Sequence, residues 1–232
     1  DGIAPALTAA AAFPQLRVIP GVEISTDIPD GEVHVLGYCL DYTGRELLEA
    51  LKRMRSSRVI RARKMVARLA ELGLPVEWER VLELAGEGSV GRPHIARALL
   101  ENGHVGSLAE AFDGYIGRNA PAYVERDKMT PTEAVELILA AGGLPVMAHP
   151  MTVPDPEAMI GELQAAGLLG IEVYYASHAA ATVQRLAALA ARTGLIPTGG
   201  SDYHGLDDAE TPFGQVAVPP ESVERLLALA RR

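Results

Sequence analysis

The sequence has little cysteine and few aromatic side chains: one cysteine, one tryptophan and three phenylalanines occur among its 232 residues. A single cysteine, Cys39, rules out a disulfide within the chain, and the composition suits a reducing compartment, so we expect a cytoplasmic protein. No stretch approaches the roughly 20 consecutive apolar residues that a membrane-spanning helix needs. We therefore expect a soluble protein with no membrane partner.

Basic residues are also scarce, since 21 Lys and Arg against 30 Asp and Glu give a formal net charge of -9. Binding to duplex nucleic acid without sequence preference needs many Lys and Arg contacts to phosphates, so we expect no stable duplex binding. Eight of the bases lie between Lys52 and Arg68, with no acid among them. Their positions do not form one stripe, so a solvated helix face explains them at least as well as a groove for a polyanion.

Short apolar runs that follow Gly or Pro predict strands at 16–25, 33–40, 144–148, 170–175, 195–199 and 215–218. Most of these runs are apolar on both faces, which is typical of a buried parallel sheet. Helical patterns at 130–142, 155–167, about 179–192 and from Pro220 onwards alternate with the later strands, and this order predicts an α/β layer or barrel. Residues 44–119 contain only helical patterns. They predict an all-helical insertion domain within a discontinuous α/β domain made of residues 1–43 and 120–232.

Acids and histidines occur within or just after the predicted strands, where the chain is otherwise apolar. The loops after the carboxyl ends of barrel strands converge on one face. Unpaired buried charges are disfavoured, whereas the same groups are satisfied when they coordinate a divalent cation. In extended backbone Asp202 and His204 would share a face, as residues i and i+2 do, and Gly199, Gly200 and Gly205 would allow a close turn. The predicted metal ligands are Glu23, His34, His149, Asp202 and His204.

A ligand set of nitrogen and oxygen atoms without thiolates excludes a structural zinc finger and suits Mn, Zn or Fe acting as a Lewis acid. More than one such ion would activate a bridging water, so the pattern indicates hydrolysis. Each histidine taken alone is more simply a core or surface residue. The shared placement of the set at strands is what predicts a metal site.

A second group of polar residues opens the helical pattern at 92–102. Arg92 and His94 flank a proline at the helix start, where free backbone N–H groups and the helix dipole favour an anion. We predict a phosphate site there, with Lys128 as a weaker member; an exposed, solvated helix start is the alternative. Tyr174, Tyr175 and His178 follow another strand and are predicted to hold the metal ligands in place or to form a wall for a base, with core packing of the tyrosines as the alternative.

The motifs containing these residues resemble a known family. Pro-Gly-Val-Glu-Ile-Ser at 20–25, Val-His-Val-Leu-Gly-Tyr at 33–38, Gly-Gly-Leu-Pro-Val-Met-Ala-His-Pro at 142–150 and Gly-Gly-Ser-Asp-Tyr-His-Gly at 199–205 resemble, in order, the motifs of the PHP (polymerase and histidinol phosphatase) metal-dependent phosphoesterases. The helical insertion and Arg-Pro-His at 92–94 resemble the branch that contains 3′,5′-nucleotide bisphosphate phosphatases and 5′-to-3′ exonucleases acting on short RNA.

The resemblance implies a distorted seven-stranded TIM-like β/α barrel that holds two or three divalent ions, commonly Mn. It implies that the five predicted ligands bind these ions and that Arg92 and His94 bind substrate phosphate. The substrate would be a nucleotide or a short oligonucleotide. The sequence does not indicate an oligomeric state.

Family members begin with a strand carrying His-x-His and a second strand ending in an Asp-His pair, and this sequence starts where that second motif should end. We therefore expect that the N-terminal strands of the barrel are missing from this chain and lie upstream, and that activity is conditional on them. Two other functions stay open at this stage. They are an amidohydrolase-like hydrolase of C–N bonds and a degenerate, non-catalytic binding module.

Overall fold

The computed structural model describes residues 2–29, 31–86, 88–125, 129–204 and 211–230. The chain divides into two compact units, a sheet unit (residues 1–47 and 128–232) and a helical unit (residues 48–127). The strands are β1 (Gly21–Ile28), β2 (Gly31–Tyr38), β3 (Leu144–Met147), β4 (Gly170–Tyr175) and β5 (Ile196–Gly200). The α-helices are α1 (Ile3–Ala10), α2 (Arg45–Glu71), α3 (Trp78–Ala85), α4 (Arg92–Glu101), α5 (Leu108–Ala111), α6 (Pro131–Ala140), α7 (Pro156–Ala165), α8 (Ala180–Thr193) and α9 (Pro220–Ala230). A π-helical turn (Phe112–Ile116) follows α5, and a 3-10 turn (Pro150–Thr152) follows β3.

The five strands form one mixed sheet in the order β1-β2-β3-β4-β5. β1 and β2 are an antiparallel hairpin, β2 and β3 are also antiparallel, and β3, β4 and β5 are parallel. The prediction of a parallel sheet is therefore wrong for β1 and β2. The signal was in the sequence, because polar and apolar residues alternate along both strands, as they do when only one face is buried.

Two predicted strand segments are not strands. Residues 16–20 precede β1 in irregular backbone and Leu16 is exposed, while residues 215–218 lie in irregular, largely exposed backbone before α9. Both runs are short and next to prolines. The Pro20 carbonyl accepts from the Cys39 N–H (2.9 Å), but among the described residues no strand pairing forms along 16–19 or 215–218. The strand predicted at 170–175 is confirmed, since β4 begins and ends at these same residues.

The helix start predicted before residue 131 is confirmed in atomic detail. The Thr130 hydroxyl accepts from the Glu133 N–H (3.2 Å), and the Glu133 carboxylate accepts from the Thr130 N–H (2.7 Å). This reciprocal pair satisfies two N–H groups that the helix itself leaves without partners. The helix ends before Gly142, whose φ of 71° lies in the left-handed region that favours glycine.

Each unit has its own hydrophobic core. In the sheet unit, Leu144, Val146 and Ile196 of the sheet pack with Leu226 of α9. In the helical unit, the fully buried residues include Met65, Leu69, Val81, Ile95 and Leu99. In the part of the chain that the structure describes, no helix is both long enough and apolar enough to cross a bilayer.

Several bases of α2 have structural partners inside the helical unit. The Arg61 Nε donates to the Val124 carbonyl (2.6 Å), Arg68 donates to the Tyr123 carbonyl, and the Arg63 guanidinium lies 4.6 Å from the centre of the Trp78 ring. These contacts bind the segment that follows the helices back onto α2. They explain part of the basic stretch without any bound polyanion.

Candidate metal centre

The hairpin of β1 and β2 presents Glu23 and His34 on one face. The register pairs Glu23 with Leu36 and Ser25 with His34, so these side chains project from the face opposite to the buried Ile24. The His34 Nδ1 donates to Glu23 Oε1 across 2.7 Å. Both residues therefore project from within strands, as the sequence indicated for His34; Glu23, which the sequence placed at the end of its strand, is the third residue of β1.

His149 reaches the same place from β3. The Ala148 N–H donates to the His34 carbonyl (3.0 Å), which carries the pairing of β2 and β3 up to the residue before His149. The His149 Nε2 lies 3.6 Å from Glu23 Oε1, and the His149 and His34 rings meet edge to face with centroids 4.9 Å apart. The His149 side chain is only 12% exposed.

Asp202 and His204 approach Glu23 from the loop after β5. The prediction that extended backbone brings them together is wrong, because Asp202 has a left-handed φ of 55°. The turn still gathers them: the His204 Nδ1 donates to the Asp202 carbonyl (2.7 Å) and lies 3.8 Å from Asp202 Oδ1. With Nδ1 used as a donor, the lone pair of the neutral imidazole is on Nε2.

The five predicted ligands form two groups that share one residue. Glu23, His34 and His149 are one group, and Glu23, Asp202 and His204 are the other; within each group the ligand atoms all lie within 4.8 Å of one another. A carboxylate has two oxygens, so Glu23 can serve both groups. The donor set fits divalent transition-metal ions that accept imidazole and carboxylate ligands.

A cavity of about 340 Å³ lies against this cluster. Its lining residues come from β1, β2, β4 and β5 and from the loops that follow β3 and β5: Glu23, Leu36, Tyr38, Ala148, His149, Glu172, Gly199, Gly200, Asp202, Tyr203 and His204. Polar groups at the wall and room for a small substrate beside them are the usual composition of a catalytic pocket.

The charges of the cluster are strongly coupled. The rings of His149 and His34, which lie beside its carboxylate, hold the pKa of Glu23 well below its ordinary value. Burial alone would lower the pKa of His34, but its hydrogen bonds with Glu23 and Glu32 outweigh burial and raise that pKa to about 9. The positive charge of the His34 ring thus balances the Glu23 carboxylate beside it.

Glu172 belongs to this site and was not identified from the sequence. It is 5% exposed, and burial raises its pKa to about 7 against the opposing hydrogen bond from the His149 N–H (2.8 Å). The signal that was available is an acid at the third position of a strand that is otherwise apolar, Gly-Ile-Glu-Val-Tyr-Tyr. A buried carboxylate needs a partner, and a strand core offers few.

A bulge in β4 decides which tyrosine contacts the cluster. Pairing with β5 shifts between Glu172 and Tyr174, which interrupts the simple alternation of faces. The Tyr175 hydroxyl donates to Asp202 Oδ2 (3.0 Å), so of the two tyrosines at the end of this strand Tyr175 makes this contact. His178 donates from Nδ1 to the Val173 carbonyl (3.0 Å), and its ring packs edge to face on Tyr175 with centroids 5.2 Å apart.

Arg92 and His94 lie in the helical unit, in the first turn of α4. The Gly91 N–H donates to His94 Nδ1 (3.0 Å), so the proton of the neutral ring is on Nε2, which is then a donor. Burial lowers the pKa of His94, which favours the neutral ring. The Arg92 guanidinium lies 5.6 Å from the Phe112 ring centre and 5.9 Å from that of Tyr123. The third predicted phosphate ligand, Lys128, lies outside the described residues.

No family model matches the chain. A 3′,5′-nucleoside bisphosphate phosphatase from Chromobacterium violaceum is 33% identical over 223 residues, covering 92% of this chain and 78% of the relative. The 5′-3′ exoribonuclease Rnm from Salmonella typhimurium is 31% identical over 201 residues, which cover 82% of this chain and 66% of that enzyme.

Solved structures agree in fold. A candidate metal-dependent phosphoesterase from Bifidobacterium adolescentis superposes with a TM-score of 0.82 at 28% identity, covering 98% of this chain and 82% of the other. An amidohydrolase from Chromobacterium violaceum, solved with bound sulfate and no metal, gives a TM-score of 0.81 at 31% identity with the same coverage. The identity to the bisphosphate phosphatase over most of both chains shows that this chain belongs to the same family of metal-dependent phosphoesterases, which are hydrolases.

Proposed function

We propose that the chain hydrolyses phosphate esters of nucleotides or short oligonucleotides, either as a 3′,5′-nucleoside bisphosphate phosphatase or as a 5′-to-3′ exoribonuclease. The observation that carries this proposal is the pair of ligand groups that share Glu23 beside a cavity of about 340 Å³. Two adjacent cation sites joined by a carboxylate are a recurring arrangement in phosphoester hydrolysis.

We propose Glu23, His34, His149, Asp202 and His204 as the ligands of two divalent ions, with Mn as the first choice and Zn or Fe as alternatives. Such ions, when bound, supply an activated water and stabilise charge on the phosphoryl oxygens. The protein fixes the ligands that face them: Tyr175 holds Asp202 through Oδ2, and His178 supports the Tyr175 ring. Tyr174 remains a second proposal for such a supporting role.

We propose Arg92 and His94 as ligands of substrate phosphate. His94 presents an Nε2 donor in its neutral form, and Arg92 carries a charge that does not depend on pH in the working range. A guanidinium beside a phosphate stabilises the charge that develops during the transfer, a role worth several kcal/mol. Lys128 is proposed as an additional phosphate ligand from the sequence alone.

An aromatic pair supports a nucleotide as the substrate class. Tyr203 lines the cavity and is 42% exposed, and Phe213, one of three phenylalanines in the chain, is 78% exposed. Their rings pack edge to face with centroids 4.5 Å apart. Exposed aromatic faces beside a polar cavity are suited to stacking against a base, since every base has a π-face.

The test of the function is a substrate screen of the metal-loaded protein. We expect Mn²⁺-dependent release of phosphate from 3′,5′-nucleoside bisphosphates or of mononucleotides from 5′-phosphorylated RNA. Arg92→Ala should lower turnover by at least about a hundredfold while metal content, measured by mass spectrometry, stays unchanged. Arg97→Ala is the matched control, because Arg97 is an exposed base on the same helix that pairs with Glu101. Equal hydrolysis by wild type and Arg92→Ala would remove Arg92 from the proposal.

A second candidate function is hydrolysis of C–N bonds, which is favoured by the likeness to the protein described as an amidohydrolase. Including N-acyl amino acids and cyclic amides in the same screen separates the two. If these compounds were hydrolysed and the nucleotide substrates released no phosphate, hydrolysis of C–N bonds would replace the phosphoesterase proposal. If the protein binds neither Mn²⁺ nor Zn²⁺, it would instead be the degenerate, non-catalytic binding module.

We further propose that the five-stranded sheet is part of a distorted seven-stranded barrel into which the helical unit is inserted. The parallel strands β3, β4 and β5 with intervening helices support this, as does the coverage of the solved structures. A cytoplasmic location is a proposal that rests on the single cysteine.

A further inference from the structure

The turn after β3 holds His149 in an unfavourable backbone conformation. His149 has φ 24° and ψ 61°, in the left-handed region, and it precedes Pro150. A side chain at positive φ is strained, and a following proline disfavours helical backbone angles at the residue before it. Such a conformation persists only when its surroundings determine it.

Glu172 is the first residue that holds His149 in this conformation. Its carboxylate is buried in β4, where Ile171 and Val173 on either side are fully buried apolar residues. Apolar packing does not explain an acid at this position, because burying a carboxylate is unfavourable without a partner. Its Oε2 accepts the N–H of His149 across 2.8 Å, so the acid contacts the strained residue itself.

Thr152 also contacts His149, and it fixes the orientation of the imidazole ring. Its hydroxyl donates to the His149 carbonyl (3.0 Å) and lies 3.2 Å from His149 Nδ1. A hydroxyl has one proton, and the carbonyl takes it, so His149 Nδ1 must be the donor in the second contact. The proton of the neutral imidazole is then on Nδ1, and the lone pair is on Nε2, which faces Glu23 at 3.6 Å.

We propose that Glu172 and Thr152 are positioning residues that hold the His149 turn and its tautomer so that Nε2 faces the centre at Glu23. Glu172 acts on the backbone as a hydrogen-bond acceptor, and Thr152 acts on the ring as an acceptor for Nδ1–H. The inference rests on the proposed role of His149 as a metal ligand. Outer partners of this kind orient metal-binding histidines in other proteins, and their loss weakens metal binding by about 10- to 100-fold.

The experiment measures Mn²⁺ binding to metal-free protein by calorimetry, with four variants in two pairs. Glu172→Met keeps the length of the side chain without an acceptor, and Glu172→Gln keeps an acceptor oxygen. Thr152→Val removes the hydroxyl, and Thr152→Ser keeps it. We expect Glu172→Met and Thr152→Val to bind Mn²⁺ at least about tenfold more weakly, and the Gln and Ser variants to stay within about threefold of wild type.

Thr26→Val is the control for the loss of a threonine hydroxyl that donates to a backbone carbonyl. Thr26 is fully buried on the opposite face of β1 from Glu23, and its hydroxyl donates to the Val33 carbonyl (2.6 Å). This variant should lower the melting temperature and leave the Mn²⁺ affinity unchanged. A loss of affinity in Thr26→Val equal to that in Thr152→Val would overturn the assignment of Thr152.

A second readout does not depend on metal. The ring nitrogen shifts of His149 in the metal-free protein, measured by NMR, should report the Nδ1–H tautomer in wild type and Thr152→Ser, and a mixture in Thr152→Val. The inference would be overturned if His149 of the wild type were in the Nε2–H tautomer. It would also be overturned if Glu172→Gln bound Mn²⁺ as weakly as Glu172→Met. Wild type that binds no Mn²⁺ but shows the Nδ1–H tautomer would instead refute the metal-binding proposal and leave the Thr152 assignment standing.

Discussion

The Tyr175 hydroxyl provides a direct test of the proposed centre. It donates to Asp202 Oδ2 across 3.0 Å, which leaves Oδ1 on the side of His204, and burial raises the pKa of Tyr175 to about 12, so the phenol keeps its proton at any working pH. Tyr175→Phe removes this one donor and preserves the ring that packs against His178. We expect metal binding to weaken, because Asp202 must then be ordered by the ion alone.

The size of the effect follows from the exposure of the acceptor. A hydrogen bond to a charged group contributes about 1.5–3 kcal/mol, and Asp202 keeps 28% of its side chain exposed, where water screens and competes. The lower end, about 1.5 kcal/mol, therefore applies, and it corresponds to about a tenfold loss of affinity.

The assay is titration of metal-free protein with Mn²⁺, followed by kcat and KM at saturating metal. Tyr174→Phe tests the alternative tyrosine, and if Tyr175 is the one that supports Asp202 this variant should change the affinity by less than about twofold. If Tyr175→Phe bound Mn²⁺ as tightly as wild type, Asp202 would not depend on this contact. If Tyr174→Phe bound Mn²⁺ more weakly than wild type and Tyr175→Phe bound it normally, Tyr174 would take the supporting role.

Two further outcomes test the local geometry of the two units. A methyl group on Gly199 would lie 2.2 Å from the Tyr174 carbonyl oxygen, so Gly199→Ala should destabilise the fold by about 1–3 kcal/mol and lower the melting temperature by several degrees, whereas Gly200→Ala, with its nearest neighbour at 3.7 Å, should melt normally. In the helical unit, burial lowers the pKa of His94 from 6.5, so the stability contributed by its neutral ring is complete above pH 6.5 and is lost as the pH falls through the lowered value. Thermal melts between pH 5 and pH 8 should therefore show a loss of stability on the acid side that is smaller in His94→Gln. An identical acid loss in that variant would exclude His94, and its cap on Gly91, as the cause.

The aromatic pair is tested by substrate preference. Replacing Phe213 with Ala should raise KM for a nucleoside phosphate and leave KM for ribose 5-phosphate unchanged, because only the former has a base to stack. The loss should be about 1–3 kcal/mol, or roughly five- to 150-fold in KM. The ratio of the two KM values is the measurement. An equal rise for both substrates would mean that the pair shapes the loop without contacting the base.

Local patterns along the chain were sufficient for much of the secondary structure. The cap at Thr130 and Glu133, the glycine that ends α6 and the bounds of β4 follow from interactions within a few residues, and such interactions are encoded where they act. Local patterns also identified the candidate ligand residues, because acids and histidines that recur at several apolar strands are unusual.

The contacts that organise the site required the folded chain. Glu172 and His149 are 23 residues apart, and their hydrogen bond exists because β3 and β4 lie side by side in the sheet. The bulge that turns Tyr175 towards Asp202 depends on how β4 pairs with β5, and no local pattern in Gly-Ile-Glu-Val-Tyr-Tyr encodes it.

By itself, therefore, the sequence determined which acids and histidines stand out within apolar strands and where several of the helices begin and end, because spacing and capping act over short distances. Tertiary structure decided the register of β1 against β2, the position of Glu23 in both candidate ligand groups, and the contacts of Glu172 and Thr152 with His149. Strand order and register are properties of pairing between distant segments, and they place side chains that the linear chain keeps far apart.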